Sequence, residues 1–293
     1  MKAPLSYNKI KQNIKQKYII PLCADILGGE MLTDVDMTSP HISAQRIKRG
    51  EVIFLAVFPK SGSTYLASLL SKITGFTLRG AVQLSDHNEQ DISEIRLHYQ
   101  AGRTAVIQQH AKGTHNNIQL LNKYGIKPVV LTRNIYDVII SNHDHFRSES
   151  DKVPMGYVHP EYWQMSQQEQ LDFIITNMVP WYLNFYVSWR DAQSSIPVHW
   201  LTYETLFRDQ EKAVSEIIDF YGLEGKVGAS SIKAGIDAMP KKGDRIAINR
   251  LNVGVSGRGE TLLSDNQKNR VMDIADKWQL PGEFLANIGL NPR

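Results

Sequence analysis

FLAVFPKSGSTY, residues 54–65, decides how the chain folds. The apolar run VIFLAVF at 52–58 reads as a strand buried on both faces. It stops at Pro59, and Lys60, Ser61, Gly62, Ser63 and Thr64 precede LASLLSKI, whose apolar residues recur with helical spacing. Where a strand hands over to a helix in this way, several backbone N–H groups lack intrahelical partners and the helix dipole favours negative charge. Gly62 admits a bulky anion close to the backbone, three hydroxyls add donors and Lys60 adds a mobile cation. The stretch reads as a phosphate cradle, with a helix start capped by Ser or Thr as the plainer alternative. It is not the nucleotide loop G-x-x-x-x-G-K-[ST], because Lys60 precedes the one glycine of the stretch. Nor is G-x-x-G-R-G at 254–259 a dinucleotide fingerprint, since no clear strand leads into it.

Working outward, short apolar strands at 52–58, 104–109, 127–132 and 197–202 alternate with helical patterns at about 63–74, 115–124, from 135, 168–190, 209–221 and 264–278. That alternation predicts a single α/β domain with a P-loop-like central parallel sheet flanked by helices on both faces. Residues 1–50 read as a peripheral lead-in and 51–293 as the domain. Such sheets bind ligands beyond the carboxyl ends of their strands, so the residues just after each strand are where chemistry is expected.

The composition sets bounds. With 42% hydrophobic and 22% charged residues, the chain has the balance of a globular protein. A net charge of +3 suits an anionic ligand and is too weak to argue for nucleic acid. Cys23 is the single cysteine, which excludes an intrachain disulfide and a thiolate-rich metal site and fits a reducing, cytoplasmic setting. No apolar run approaches a membrane span, and the Lys-rich N-terminus lacks the apolar region of a secretory signal. Ile10, Ile14 and Tyr18 recur every fourth residue there, as in a short basic amphipathic helix.

The strand KPVVLT ends in Arg133, whose planar fork suits a phosphate, and the helix that follows carries Asp137 and then Ser141. An ion pair between Arg133 and Asp137 is the plainer reading. Together FPKSGSTY (58–65) and VLTRNIYDVIISNHDHF (130–146) resemble the two signature segments of the cytosolic sulfotransferases. WLTYETLFRDQEKAVSEIIDFYGL (200–223) is similar to that family's Tyr-Glu-Asp-Leu segment, and NVGVSGRGETLLSDNQ (252–267) to its Gly-rich closing loop. The resemblance implies 3′-phosphoadenosine-5′-phosphosulfate as co-substrate and a small-molecule acceptor, such as a natural product, with no metal and no nucleic acid; a homodimer is also admitted. It implies that Lys60 contacts the bridging oxygen and the 5′-phosphate and that Ser61, Gly62, Ser63 and Thr64 line the cradle. Tyr65 stands where the family has a Trp stacked on adenine. Arg133 and Ser141 would hold the 3′-phosphate, Tyr203 an adenine edge, and Ser230 or Ser231 a further nucleotide contact.

Two departures stand out. Gln108 occupies the place of a family lysine two residues before the base. The closing loop lacks the usual basic pair, leaving Arg250 or Arg258, with Gly259, for the 3′-phosphate. His110, just beyond the strand TAVIQQ, matches the family's catalytic histidine, and an imidazole suits general-base work at neutral pH. His115, His143 and His145 are weaker candidates for that role. Residues 144–166 lack periodicity and read as a mobile loop over the acceptor pocket, lined by His143, Phe146, Tyr157, Tyr162 and Trp163. Acidic residues around it, among them Asp144, Glu149, Glu161, Asp86 and Glu89, read as a solvated surface, with a cationic acceptor as the sharper alternative. Two rivals remain at this point: a nucleoside-triphosphate-dependent small-molecule kinase, and a catalytically silent nucleotide-binding module.

Overall fold

The apolar run forms β1 (Val52–Val57), and its side chains alternate between two separate cores. Val52, Phe54, Ala56 and the following Phe58 enter one, while Ile53, Leu55 and Val57 enter the other. A strand committed on both faces has to lie inside a sheet that is covered twice. A computed structural model of the chain describes residues 52–81, 89–100, 103–240 and 256–291 and contains such a sheet. Around β1 lie β2 (Thr77–Arg79), β3 (Ala105–Gln109), β4 (Pro128–Thr132) and β5 (His199–Thr202), all parallel, in the order β2-β3-β1-β4-β5.

Helices α1 (Ser63–Thr74), α2 (Glu94–Gln100), α3 (His115–Lys123), α4 (Ile135–Ser148) and α5 (Gln167–Ala192) come before β5. After it come α6 (Tyr203–Arg208), α7 (Gln210–Tyr221), α8 (Ala229–Asp237), α9 (Arg258–Leu262), α10 (Asp265–Asp276) and α11 (Gly282–Ala286). One face of the sheet is covered by α1, α6, α7 and α8, through Leu66, Leu206, Ile217 and Ile232. The other is covered by α3, α4, α5 and α10, through Leu121, Val138, Phe185 and Val271. The expected α/β architecture is therefore the observed one. No helix among the described residues is long and apolar enough to cross a membrane.

One expectation needs correction. Residues 144–166 are not an irregular loop: α4 runs on to Ser148, an antiparallel pair follows (Lys152–Val153 with Gly156–Tyr157), and a 3₁₀ turn spans Pro160–Gln164. The cause is packing, since Phe146 and Tyr162 meet edge to face at 5.6 Å inside the larger core. The strand β2 and helices α2, α6, α8, α9 and α11 are additional to the elements read from the sequence. The basic segment with Ile10, Ile14 and Tyr18, together with Cys23, Asp86 and Arg250, lies outside the described residues.

Gly113, just past β3, shows how tightly α5 is seated. A Cβ there would stand 2.6 Å from the Ser188 carbonyl oxygen and 3.0 Å from Trp189 Cα, both backbone atoms that cannot step aside. Gly113→Ala should lower stability by about 1–3 kcal/mol, read as a reduced urea midpoint at constant slope. An unchanged midpoint would mean that α5 gives way freely.

Candidate active site

Register brings the candidate residues to one edge of the sheet. Ala56 pairs with Gln109, so His110 stands beside Val57. Val57 pairs with Leu131, and the Phe58 N–H donates to the Leu131 carbonyl at 2.9 Å, so the turn after β1 runs beside Arg133. Thr132 pairs with Thr202, which puts Tyr203 level with Arg133. Four neighbouring strands therefore release His110, the PKSGST turn, Arg133 and Tyr203 at their carboxyl ends, with β1 in the middle.

The turn itself settles the alternative of a hydroxyl-capped helix. Gly62 is the N-cap of α1 at φ 78°, and no side chain caps the helix. The hydroxyls are engaged elsewhere: Ser61 Oγ donates to the Phe58 carbonyl at 2.7 Å, and Ser63 Oγ accepts from Gln108 Nε2 at 3.1 Å. Thr64 and Tyr65 are half-buried in the first turn of α1. Lys60 is also left-handed, at φ 65°, a conformation costing a non-glycine residue about 1–2 kcal/mol. The Lys60 Nζ lies 3.5 Å from Glu149 Oε2 and 3.3 Å from His145 Nδ1. His145 bridges onward, with Nδ1 2.9 Å from Glu149 and Nε2 2.9 Å from the Lys152 carbonyl. Burial alone would raise the Glu149 pKa, but the hydrogen bond from His145 and the charge of Lys60 hold it below the usual carboxylate value.

Arg133 is held from three sides. Its guanidinium lies 4.0 Å over the Tyr203 ring, Nη1 donates to the Lys60 carbonyl at 3.0 Å, and Nη2 is 3.8 Å from Asp137 Oδ2. The ion pair read from the sequence is therefore present, and it orients the arginine toward the turn. Asp137 is buried and also accepts the N–H groups of Gly257 and Gly259, both at 2.8 Å. A Cβ on Gly259 would fall 2.2 Å from the Tyr136 carbonyl carbon, so only glycine fits there. Ser141 is buried one helical turn beyond Asp137. Tyr65, Phe207 and Tyr203 form a run of rings with centroid spacings of 5.2 and 4.4 Å, and the Tyr65 hydroxyl donates to Gln210 Oε1. Phe207 was missed in the sequence, although it lies one helical turn after Tyr203.

His110 is buried, and its Nδ1 is 2.8 Å from the Val57 carbonyl oxygen. A carbonyl only accepts, so Nδ1 carries the proton and the neutral ring presents a bare Nε2. Burial holds the pKa below the ordinary imidazole value, although Glu89 and the Val57 hydrogen bond pull the other way. Glu89 Oε2 stands 3.4 Å from that Nε2.

The remaining sequence candidates are scattered. His143 is buried with Nε2 3.0 Å from Gln170 Oε1, and Phe146 and Tyr162 belong to the core. Tyr157 and Trp163 are exposed. Arg258 is paired with Asp144 at 2.7 Å. Ser230 is exposed on α8, a helix that meets the far end of α1 at Ile73 and Lys72. Among the described residues, no group of three His, Cys, Asp or Glu is placed to hold a metal ion.

Burial lowers the pKa values of His110, His143 and His199 alike. The unfolded chain then binds more protons once the pH falls through their ordinary value of 6.5, so stability present above it is lost below. The urea midpoint should drop between about pH 7.5 and 5.5, above the range in which carboxylates titrate. Equal midpoints would contradict neutral burial of these rings.

A family described as sulfotransferase domain matches residues 51–239. The fold is similar to that of mouse sulfotransferase SULT7A1, solved with PAP: TM-score 0.57 at 15% identity, covering 86% of this chain and 93% of that one. It is equally similar to retinol dehydratase, solved with retinol and PAP: TM-score 0.57 at 13% identity, covering 87% and 88%. No curated protein matches the sequence.

Proposed function

Since the chain belongs to the sulfotransferase domain family, we propose that it moves a sulfuryl group from 3′-phosphoadenosine-5′-phosphosulfate to a hydroxyl or amine of a small molecule. The observation that carries this reading is the shared edge at which a bare imidazole nitrogen, a strained lysine turn and a clamped arginine emerge from adjacent strands. The donor's chemistry fits the residues present. The uncapped start of α1 and Lys60 suit a 5′-phosphosulfate, and Arg133 with Ser141 suits a 3′-phosphate. Tyr65, Phe207 and Tyr203 offer flat apolar surface for a purine.

In this mechanism His110 Nε2 removes the proton of the acceptor, whose oxygen or nitrogen attacks sulfur in line with the departing phosphate. Lys60 neutralises the charge that develops on that phosphate. Gln108 supplies no charge but fixes Ser63 through its amide, which places more of the stabilisation on Lys60. The closing residues join the domain in this reading, because Gly257 and Gly259 cap Asp137 and the Ile135 N–H donates to the Ile288 carbonyl. The single cysteine, Cys23, supports action in the reducing cytoplasm.

Lys60→Ala and His110→Ala should each lower transfer of sulfur-35 label by about 100-fold or more, with unchanged circular dichroism. Turnover near wild type in either variant refutes the assigned role. Arg133→Ala should weaken adenosine 3′,5′-bisphosphate binding by about 10–100-fold in calorimetry, the loss of charge-assisted hydrogen bonds. A catalytically silent module is the second reading, favoured by Gln108 in place of a lysine; tight bisphosphate binding with no label moving to any acceptor would establish it.

A further inference from the structure

Glu89 belongs to no part of the mechanism above, yet its carboxylate stands 3.4 Å from the nitrogen that has to take the acceptor's proton. The turn that carries it is fixed rather than loose. Buried Asn117 donates from Nδ2 to the carbonyls of Gln90 and Lys112, both at 2.8 Å, and accepts the Ile92 N–H at 2.9 Å. Gln109 Nε2 donates to the Asp91 carbonyl at 2.9 Å, and the Lys112 N–H to the Gln90 carbonyl at 3.3 Å. Residues 90–92, next to Glu89, are thus tied to both ends of the segment that holds His110.

We propose that Glu89 is the carboxylate partner of His110, a positioning residue that stabilises the imidazolium formed when Nε2 accepts the acceptor's proton. This rests on His110 being the base. When the acceptor's O–H or N–H bond breaks, the proton goes to Nε2 and the freed electron pair forms the new bond to sulfur. The bond from sulfur to the bridging oxygen breaks, and its electron pair leaves on the phosphate. His110 gains a unit of positive charge in that step, inside a buried setting that penalises it. Among the described residues, Glu89 is the negative group that acts on the ring. Val57 contributes a carbonyl on the Nδ1 side. Tyr182, on α5, is kept neutral by burial, and its hydroxyl lies 3.3 Å from the Pro59 carbonyl. Lys60 faces Glu149 and His145, and Lys112 lies 5.2 Å from the Trp181 ring and is coupled to Asp91. Glu89 holds its carboxylate 3.4 Å from Nε2, the side of the ring opposite the Val57 hydrogen bond.

The test is the titration of His110 followed by NMR on histidine-labelled protein, with and without Glu89→Gln. Loss of an opposite charge at this distance should lower the His110 pKa by about one unit. The acid limb of kcat/KM should move the same way, to lower pH, while the plateau falls about tenfold. Glu89→Asp should restore most of both. In the wild-type protein, the Glu89 carboxyl carbon signal should also move as His110 changes charge. A His110 pKa that is unchanged or raised in Glu89→Gln, or a Glu89 signal that does not follow the charge of His110, overturns the proposal. The NMR readout needs no donor, so a shifted pKa in a protein that transfers no label counts against the sulfotransfer reading and not against the pair.

Discussion

β1 has no freedom to slide, and the site depends on that. Its odd and even residues are committed to opposite cores, so a slip of one position would exchange Phe54, Ala56 and Phe58 with Ile53, Leu55 and Val57. The same slip would move the turn after β1 by more than 3 Å relative to His110 and Arg133, which adjacent strands hold in place. Core packing thus sets the spacing of these candidate groups, and the polar turn inherits its precision from apolar neighbours beneath it.

A second tie runs through Asp137. One buried carboxylate orients Arg133 and accepts two backbone N–H groups from the segment that enters α9. The Arg133 guanidinium in turn holds the Lys60 carbonyl, so a chain of contacts joins the C-terminal part of the protein to the turn after β1. The bareness of Gly259 is part of that tie, since a methyl group there would collide with the backbone at Tyr136.

How much of this could be read in the sequence follows from where the signal lies. Buried strands announce themselves through apolar runs, so β1, β3, β4 and β5 were legible, whereas β2 is three residues with Leu78 exposed and carries no such run. The turn after β1, Arg133 and His110 were legible because they follow those strands directly. Segment 144–166 was misread because Phe146 and Tyr162 are ordered by each other across a gap of sixteen residues, which no local periodicity reports. Glu89, Glu149 and Phe207 acquire meaning only through tertiary neighbours. Their charges and rings are ordinary surface chemistry until the fold sets them against His110, Lys60 and Tyr65.

Glu149 gives the cradle a property that a bare cation would lack. The cationic side chain of the turn already has a carboxylate counterpart, shared with an imidazole. In the proposed function, association of an anionic ligand at Lys60 would therefore exchange one negative group for another rather than fill an open positive hole. Fewer mobile chloride or phosphate ions have to be expelled from that spot, which flattens the dependence of affinity on ionic strength. On that reading, selectivity among polyanions would be governed by shape and by the proposed second anchor at Arg133 more than by charge alone.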